Sequence, residues 1–305
     1  MQKRIKRPIS GVLLLDKPTG FSSNGALQKV RWLYQAEKAG HTGNLDPLAT
    51  GLLPVCLGEA TKFSQFLLNA DKAYRASIRL GVTTDSGDSD GNVLQSSPVE
   101  ASLEQVRSVL AGLVGEVEQI PPMYSALKHQ GRALYEYARQ GVDVVRQPRR
   151  ITLFSIELLA FQADSLDIAV ACSKGTYIRV LAEEIGRQLG CGAHLTGLRR
   201  TRTAGFDLAD AITLDQLEAM TLAQRDARLL ATDCLLGEMI DVQLSDQASH
   251  SWCHGNPVWQ AQLPAAGELR VYDAAHRFIG LGQILPDGRL APKRVVRPPP
   301  PLVAE

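Results

Sequence analysis

The apolar runs of this chain are short. "GVLLL" (11–15), "LLPVCLG" (52–58) and "SLDIAVAC" (165–172) have strand length, and each ends at a charge, a glycine or a polar boundary. Helix-period segments lie between them. "SSNGALQKVRWLYQ" (22–35) opens on Ser22 and Ser23, either of which can cap a helix. "SLEQVRSVLAGLVG" (102–115) sets Leu103, Val106, Leu110 and Leu113 on one stripe, and "TYIRVLAEEIGRQLG" (176–190) reads as a helix stopped by Gly190. "EATKFSQFLLNADK" (59–72) places Phe63, Phe66 and Leu67 at helical spacing, "AYRASIRLGV" (73–82) alternates as a half-buried strand, and "GRALYEYARQG" (131–141) is a further short helix. Strands and helices are interspersed without a regular strand–helix repeat, which favours α+β over a doubly wound sheet.

The 305 residues are enough for one large domain and a smaller one. The character changes near residue 237. Beyond it, "ELRVYDAAHRFIGLGQILPDGRLAPKRVV" (268–296) predicts three short strands of a small β domain, and "RPPPPLVAE" (297–305) predicts an extended tail. The expected division is therefore 1–236 and 237–305. No run is long enough to cross a membrane, and the apolar stretch after the basic start is too short for a signal-peptide core. Five cysteines at irregular spacing give no disulfide framework. The expectation is a soluble, cytoplasmic protein.

The net charge of +1 hides a segregated distribution. Lys3, Arg4, Lys6 and Arg7 open the chain without an acid. Lys128, Arg132, Arg139, Arg146, Arg149 and Arg150 fall within 121–150 against Glu136 and Asp143. Arg199, Arg200 and Arg202 follow, then Lys293, Arg294 and Arg297, while 207–247 holds nine acids against Arg225 and Arg228. Any one run reads as a solvated surface. Four runs balanced by one acidic block point to a basic face for a polyanion.

"GHTGNLDPLATG" (40–51) gathers glycine and proline around a single carboxylate, Asp46. Gly40, Gly43 and Gly51 permit unusual backbone angles or close approach, and Pro47 pushes Asp46 towards an extended conformation. The stretch is a shaped loop between regular elements, suited to a catalytic carboxylate or to a structural turn. Metal chemistry has little support. Cys191 with His194, and His250 with Cys253 and His254, lack a second ligand pair, so they read as packing residues. "TDSGDSDG" (84–91) lacks the closing glutamate of a calcium loop and reads as a polar turn. No P-loop or dinucleotide fingerprint is present. Tyr74 and Tyr177 stand at element edges, where an aromatic face can stack an extruded base or simply close a core. Arg179, two residues on, can hold a carboxylate ionised.

The loop, extended to "GHTGNLDPLATGLLPVCLGEATK" (40–62), strongly resembles the catalytic motif of the bacterial tRNA pseudouridine-55 synthases. "LLLDKPTGFSSN" (13–24), "DKAYRASIRLG" (71–81), "CSKGTYIRVLAEEIG" (172–186) and "GAHLTGLRRTRTAGF" (192–206) match the same family in order, and "IPPMYSALKHQGRALYEYARQG" (120–141) is similar to its thumb. The resemblance is close over about 10–206, weaker across the acidic block, and loose over the C-terminal part. One departure is Asn44, where many members carry a small residue. The resemblance implies a pseudouridine synthase fold, with a mixed, largely antiparallel sheet flanked by helices. It also implies a thumb at about 121–150 and a small β-rich PUA-like RNA-binding domain at the C-terminus.

The resemblance further implies that uridine 55 in the T-arm of tRNA is flipped out and isomerised to pseudouridine without a cofactor or a metal. Asp46 matches the catalytic aspartate, Arg179 its partner, and Tyr74 the tyrosine that stacks on the uracil. Tyr177, Leu198 and His41 match further substrate-contacting positions, and Lys17 one that supports the pocket. tRNA is the expected partner of a monomer that needs no obligate protein partner and no membrane. Three other readings use the same features. A non-catalytic tRNA-folding chaperone would bind and remodel the T-arm without needing Asp46. A nucleoside hydrolase would release free uracil. A guide-directed enzyme would act on other RNA, a reading the self-contained thumb disfavours.

Overall fold

The computed structural model describes residues 6–297, so Lys3, Arg4 and the tail beyond Arg297 lie outside it. A 10-stranded mixed sheet forms the body. Its main path runs Ile212–Thr213, Gly11–Lys17, Thr50–Leu57, Ala193–Thr203, Lys72–Leu80, Ser165–Cys172, Arg149–Gln162, Gly115–Gln119. Ala39–His41 pairs with Thr50–Leu57, and Phe206–Asp207 with Ala193–Thr203. Only the pairings of Gly11–Lys17 with Ile212–Thr213 and of Thr50–Leu57 with Ala193–Thr203 are parallel among the described strands of this sheet. The α+β class with a largely antiparallel sheet is therefore as expected.

One face of the sheet is covered and the other is largely polar. Along Lys72–Leu80, Tyr74, Ala76, Ile78 and Leu80 are buried while Arg75 and Arg79 are exposed, the period of two that a strand covered on one face must show. The covered face packs against three helices. Ser23–Leu33 supplies Ala26, Leu27 and Val30, Leu103–Gly112 supplies Val106 and Leu110, and Ile178–Gln188 supplies Ile178, Leu181, Ala182 and Ile185. Ser22 is the cap of the first helix, its side chain accepting from the Gly25 N–H. Leu103, expected on the apolar stripe of the second helix, is exposed at its start. Gly11–Lys17 is covered on both faces, with Leu13 and Leu15 in the main core and Val12 and Leu14 in a second cluster.

That second cluster reaches forward to Leu235, Leu236 and Leu281. It fastens the body to a 4-stranded C-terminal sheet, Asp241–Gln243, Glu268–Tyr272, Phe278–Ile284 and Leu290–Val295. The three expected strands are present, and Asp241–Gln243 adds a fourth in parallel to Glu268–Tyr272. This β-rich unit has its own core of Leu244, Trp252, Leu269, Val271, Ile284 and Leu290. Phe63, fully buried, packs its ring 5.6 Å from that of Phe278 and so spans the junction.

Two sequence-based expectations need correction here. Residues 59–72 do not form one helix: a 3-10 turn over Gly58–Phe63 gives way to a short α-helix at Ser64–Leu68. Lys62 Nζ donates 2.8 Å to the Val295 carbonyl, so docking against the C-terminal sheet overrides the helical spacing. The basic runs are also not uniformly exposed. Arg7 pairs with Asp226 of the acidic block, Arg199 with Asp16, and Arg200 is 1% exposed.

Candidate active site

Residues 42–49 leave the sheet after Ala39–His41 and return to it at Thr50–Leu57, carrying Asp46 at their bend. Three anchors hold this loop. Ser23 Oγ accepts from the Leu45 N–H at 2.8 Å and donates to the Leu45 carbonyl at 3.1 Å. Pro47 O accepts from the Gly20 N–H at 2.8 Å. Gly51 sits at φ +99°, and a Cβ there would lie 2.3 Å from the Arg200 carbonyl oxygen, so glycine is required where the loop re-enters the sheet beside Arg200. Gly40 has no such need, since a Cβ would meet only Thr61 at ordinary contact distance. Asn44 is exposed, and what it contributes inward is its carbonyl, which accepts from Arg200 Nη1.

Asp46 Oδ2 lies 3.0 Å from Arg179 Nη2. The environments of the partners differ sharply: the arginine side chain is 6% exposed and the aspartate side chain 44%. Arg179 stands in the first turn of Ile178–Gln188, whose cap is Tyr177. Its guanidinium also donates to the Ser86 carbonyl at 3.0 Å and the Tyr124 carbonyl at 2.7 Å, and lies 3.5 Å from Asp88 Oδ2. A planar fork satisfied on several sides cannot swing away from Asp46. Burial raises the Asp46 pKa above its ordinary value of 3.8, the Arg179 charge opposes this, and Asp88 reinforces it.

The polar turn expected at 84–91 does more than reverse the chain. Asp88, 5% exposed, accepts from Ser86 Oγ at 2.5 Å and from the Asp90 N–H at 3.1 Å, and presents its carboxylate to Arg179. The only hint in the sequence was the density of acids in "TDSGDSDG".

Tyr74 lies beside this pair on the covered face of the sheet, 8% exposed, with Leu198 on the neighbouring strand next to its register partner Arg200. Burial raises the pKa of its hydroxyl. Tyr177 is half-buried, and its N–H donates 3.0 Å to Gln119 Oε1, fixing the start of the Arg179 helix to the strand leading into the 121–150 segment. His41 has its pKa lowered by burial and by the nearby Arg200 charge, and its Nδ1 is buried without a hydrogen-bond partner. Lys17 is fully buried, donating to the carbonyls of Pro18 at 2.9 Å and Phe21 at 2.6 Å. Desolvation takes its pKa down to about 8, against the pull of the Asp46 charge. It lies beneath the loop, with no surface open to solvent.

The 121–150 segment carries a two-residue hairpin, Lys128–His129 with Arg132–Ala133, and the helix Leu134–Ala138. Arg132 lies over the Tyr137 ring and Arg139 over that of Tyr135, at 4.9 and 5.3 Å from the centroids. Elsewhere, Cys191 and His194 are buried, His194 with Nδ1 2.9 Å from the Val82 carbonyl, which suits packing residues. His250, Cys253 and His254 are instead exposed, the two imidazoles tilted against each other with centroids 4.5 Å apart, so the expected packing role does not hold for them. A cleft of about 620 Å³ beside Tyr74 runs over the polar face of the sheet past Arg75, Glu157 and Arg199, and does not include Asp46. No helix among the described residues is long and apolar enough to cross a membrane.

Models described as "TruB family pseudouridylate synthase (N terminal domain)", "tRNA pseudouridylate synthase B C-terminal domain" and "Pseudouridine synthase II TruB, C-terminal" match residues 31–178, 179–240 and 241–296. The likeness thus continues through the acidic block and the C-terminal unit, beyond the 10–206 that the motifs cover. The chain is 52% identical to a protein of Methylobacillus flagellatus named tRNA pseudouridine synthase B, over 97% of this chain and 98% of that one. It is 53% identical to one of the same name from Chromobacterium violaceum, over 95% and 96%. Among solved structures, a Cbf5–Nop10–Gar1 complex contains a chain that superposes with a TM-score of 0.70 at 25% identity, over 94% of this chain and 85% of that one. With the aspartate of a shaped loop held by a helix arginine and these relatives along its length, the chain belongs to the TruB family of pseudouridylate synthases, which are isomerases.

Proposed function

We propose that this protein isomerises uridine 55 in the T-arm of tRNA to pseudouridine, with Asp46 as the group on which the reaction depends. The observation that carries this reading is the asymmetry of the central ion pair. Arg179 is 6% exposed and saturated with acceptors, while the Asp46 side chain it orients is 44% exposed. What sets this pair apart is that its buried partner is the cation, held in place by two carbonyls and a second carboxylate. Here one partner is fixed and the other is offered to a molecule from outside.

The chemistry follows from the groups around it. The uracil is detached from ribose at nitrogen and rejoined through carbon, so the base must leave its stack and turn within the site. Tyr74 supplies an aromatic wall for the extruded ring, with Leu198 and Tyr177 as further walls. Arg179 keeps Asp46 ionised against the desolvation that raises its pKa. His41, disfavoured as a cation by burial, offers a neutral ring to the substrate and has a buried nitrogen still unpaired. Lys17 supports the loop from below. No step in this scheme calls for a cofactor or a metal.

The thumb over 121–150 closes on the RNA through phosphate contacts, with Lys128, Arg132 and Arg139 foremost. The C-terminal β-rich unit, 237–305 with its tail, serves as a PUA-like RNA-binding domain, the body being 1–236. The protein works as a monomer in the cytoplasm, where unmodified tRNA is found. The name of the Methylobacillus relative supports tRNA as substrate.

The test uses two unmodified tRNA transcripts, one with uridine and one with cytidine at T-arm position 55, incubated with the protein. Carbodiimide-dependent primer-extension stops at that position in the first and nowhere in the second bear the proposal out. Tight binding of both transcripts without a stop overturns it and favours a binding protein that remodels the T-arm.

A further inference from the structure

Arg199 and Arg200 are neighbours with opposite fates. Arg199 faces the polar side of the sheet and pairs with Asp16 at 2.7 Å. Arg200 faces the covered side and is 1% exposed, among the largest fully buried side chains of the molecule. Its partners are carbonyls: Nε donates 2.6 Å to Leu52 O, and Nη1 lies 3.4 Å from Asn44 O. Nη2 is buried with no hydrogen-bond partner, and no carboxylate lies within ion-pair distance of Arg200 among the described residues.

A buried cation without a counter-ion works against the fold, because its hydration is lost and no opposite charge replaces it. Its position suggests why the chain tolerates it. Arg200 is the register partner of Tyr74 on one side and of Gly51 on the other. Directly opposed residues of an antiparallel pair share a face, and the Tyr74 hydroxyl stands beside the Arg200 guanidinium. Through Asn44 O and Leu52 O the same group ties the start of the loop that carries Asp46 to the strand that follows it. The missing side chain at Gly51 lets the Arg200 backbone approach the loop's exit this closely.

We propose that Arg200 is a positioning residue for the reaction: its buried guanidinium, wedged between the Tyr74 strand and the Asp46 loop, sets the placement of Tyr74 against Asp46. The Tyr74 hydroxyl already leans on this guanidinium, and the unpaired Nη2 is the donor that keeps it in place when the ring packs on a substrate base. The nearby charge also disfavours protonation of His41 and of Lys17, so one fixed cation tunes groups on both sides of the loop. This rests on the pseudouridine-forming reading of the site.

The experiment measures R200M, R200K and Y74F on tRNA transcript, with thermal midpoints and transcript binding measured in parallel. R200M keeps an unbranched apolar stem and removes the guanidinium with its charge. It is expected to fold with a midpoint near that of wild type and to bind RNA normally. Its kcat is expected to fall about 100-fold, the size of loss that a misplaced catalytic group produces. KM should change by less than about threefold. Combining R200M with Y74F should cost little more than Y74F alone, because the two act as a unit. A merely structural arginine would give additive losses. If R200M does not fold and R200K does, the same criteria apply to R200K. Unchanged kcat, a change in KM alone, additive losses with Y74F, or loss of fold in both variants overturns the proposal. Absence of product from the wild type defeats the reading of the site itself, and the proposal with it, whereas product from the wild type with full kcat from R200M defeats the proposal alone.

Discussion

At position 46 a carboxylate stands half in solvent against a guanidinium that solvent scarcely reaches. Burial raises its pKa, so the folded state holds that proton more tightly than the unfolded chain does. The sign of two effects follows. Ionisation of Asp46 works against the fold as pH rises through its folded pKa, so Asp46→Asn should unfold at the same temperature as wild type at neutral pH, or a higher one. Activity runs the other way. On the proposed mechanism it needs the ionised form, so kcat/KM should fall on the acid side with a midpoint above 3.8, the ordinary aspartate value. A pH–rate profile on transcript, compared with thermal melts of both proteins, checks the pair. Asp46, Tyr74 and Arg179 were legible because each sits in a long motif. Asp88 and Arg200 were not. Nothing in "LRRTRT" says which arginine turns inward when both neighbours are polar, and that parity is set by pairing with Tyr74.

At the scale of elements, local signals served where one face alternates cleanly and failed where strands are bulged. Arg149–Gln162 and Ala193–Thr203, two long strands of the sheet, carry no clear strand signal in the sequence. The first shifts register between Leu153 and Ser155 and again between Leu158 and Ala160. The second does so between Leu195 and Gly197 and between Arg200 and Arg202. Each bulge flips the inward–outward order, so a period of two never persists long enough to see. The Asp46 loop shows the opposite case, since a glycine at its exit was readable and proves necessary. Gly51→Ala should destabilise the protein by about 2 kcal/mol or more, because it forces a side chain into a left-handed conformation and against the Arg200 backbone. Chemical denaturation of that variant is the check, with Gly40→Ala as the neutral control.

Across the whole molecule, charge segregation has two uses. Part of it is internal: Arg7 meets Asp226, Lys29 meets Glu218, and Tyr272 donates 2.6 Å to Asp233, so the acidic block ties the N-terminal region and the C-terminal sheet to the body. The remainder is external, and the 121–150 segment carries the clearest share. Replacing Lys128, Arg132 and Arg139 together by alanine should weaken tRNA binding and reduce the slope of log K against log salt by about 2, as expected for three lost phosphate contacts. Titrations at several salt concentrations measure it, and an unchanged slope would place the RNA elsewhere.

In the proposed function one carboxylate, held by a buried arginine, rearranges a uridine rather than merely gripping it. The most direct measurement incubates tRNA transcript with wild type or Asp46→Asn, digests the RNA to nucleosides, and quantifies pseudouridine, remaining uridine and free uracil, with binding recorded alongside. Wild type should give one pseudouridine per transcript and no free uracil. The variant should bind undiminished, with turnover lower by about 1,000-fold or more. Free uracil from wild type, or full pseudouridine formation by Asp46→Asn, would contradict the proposed function.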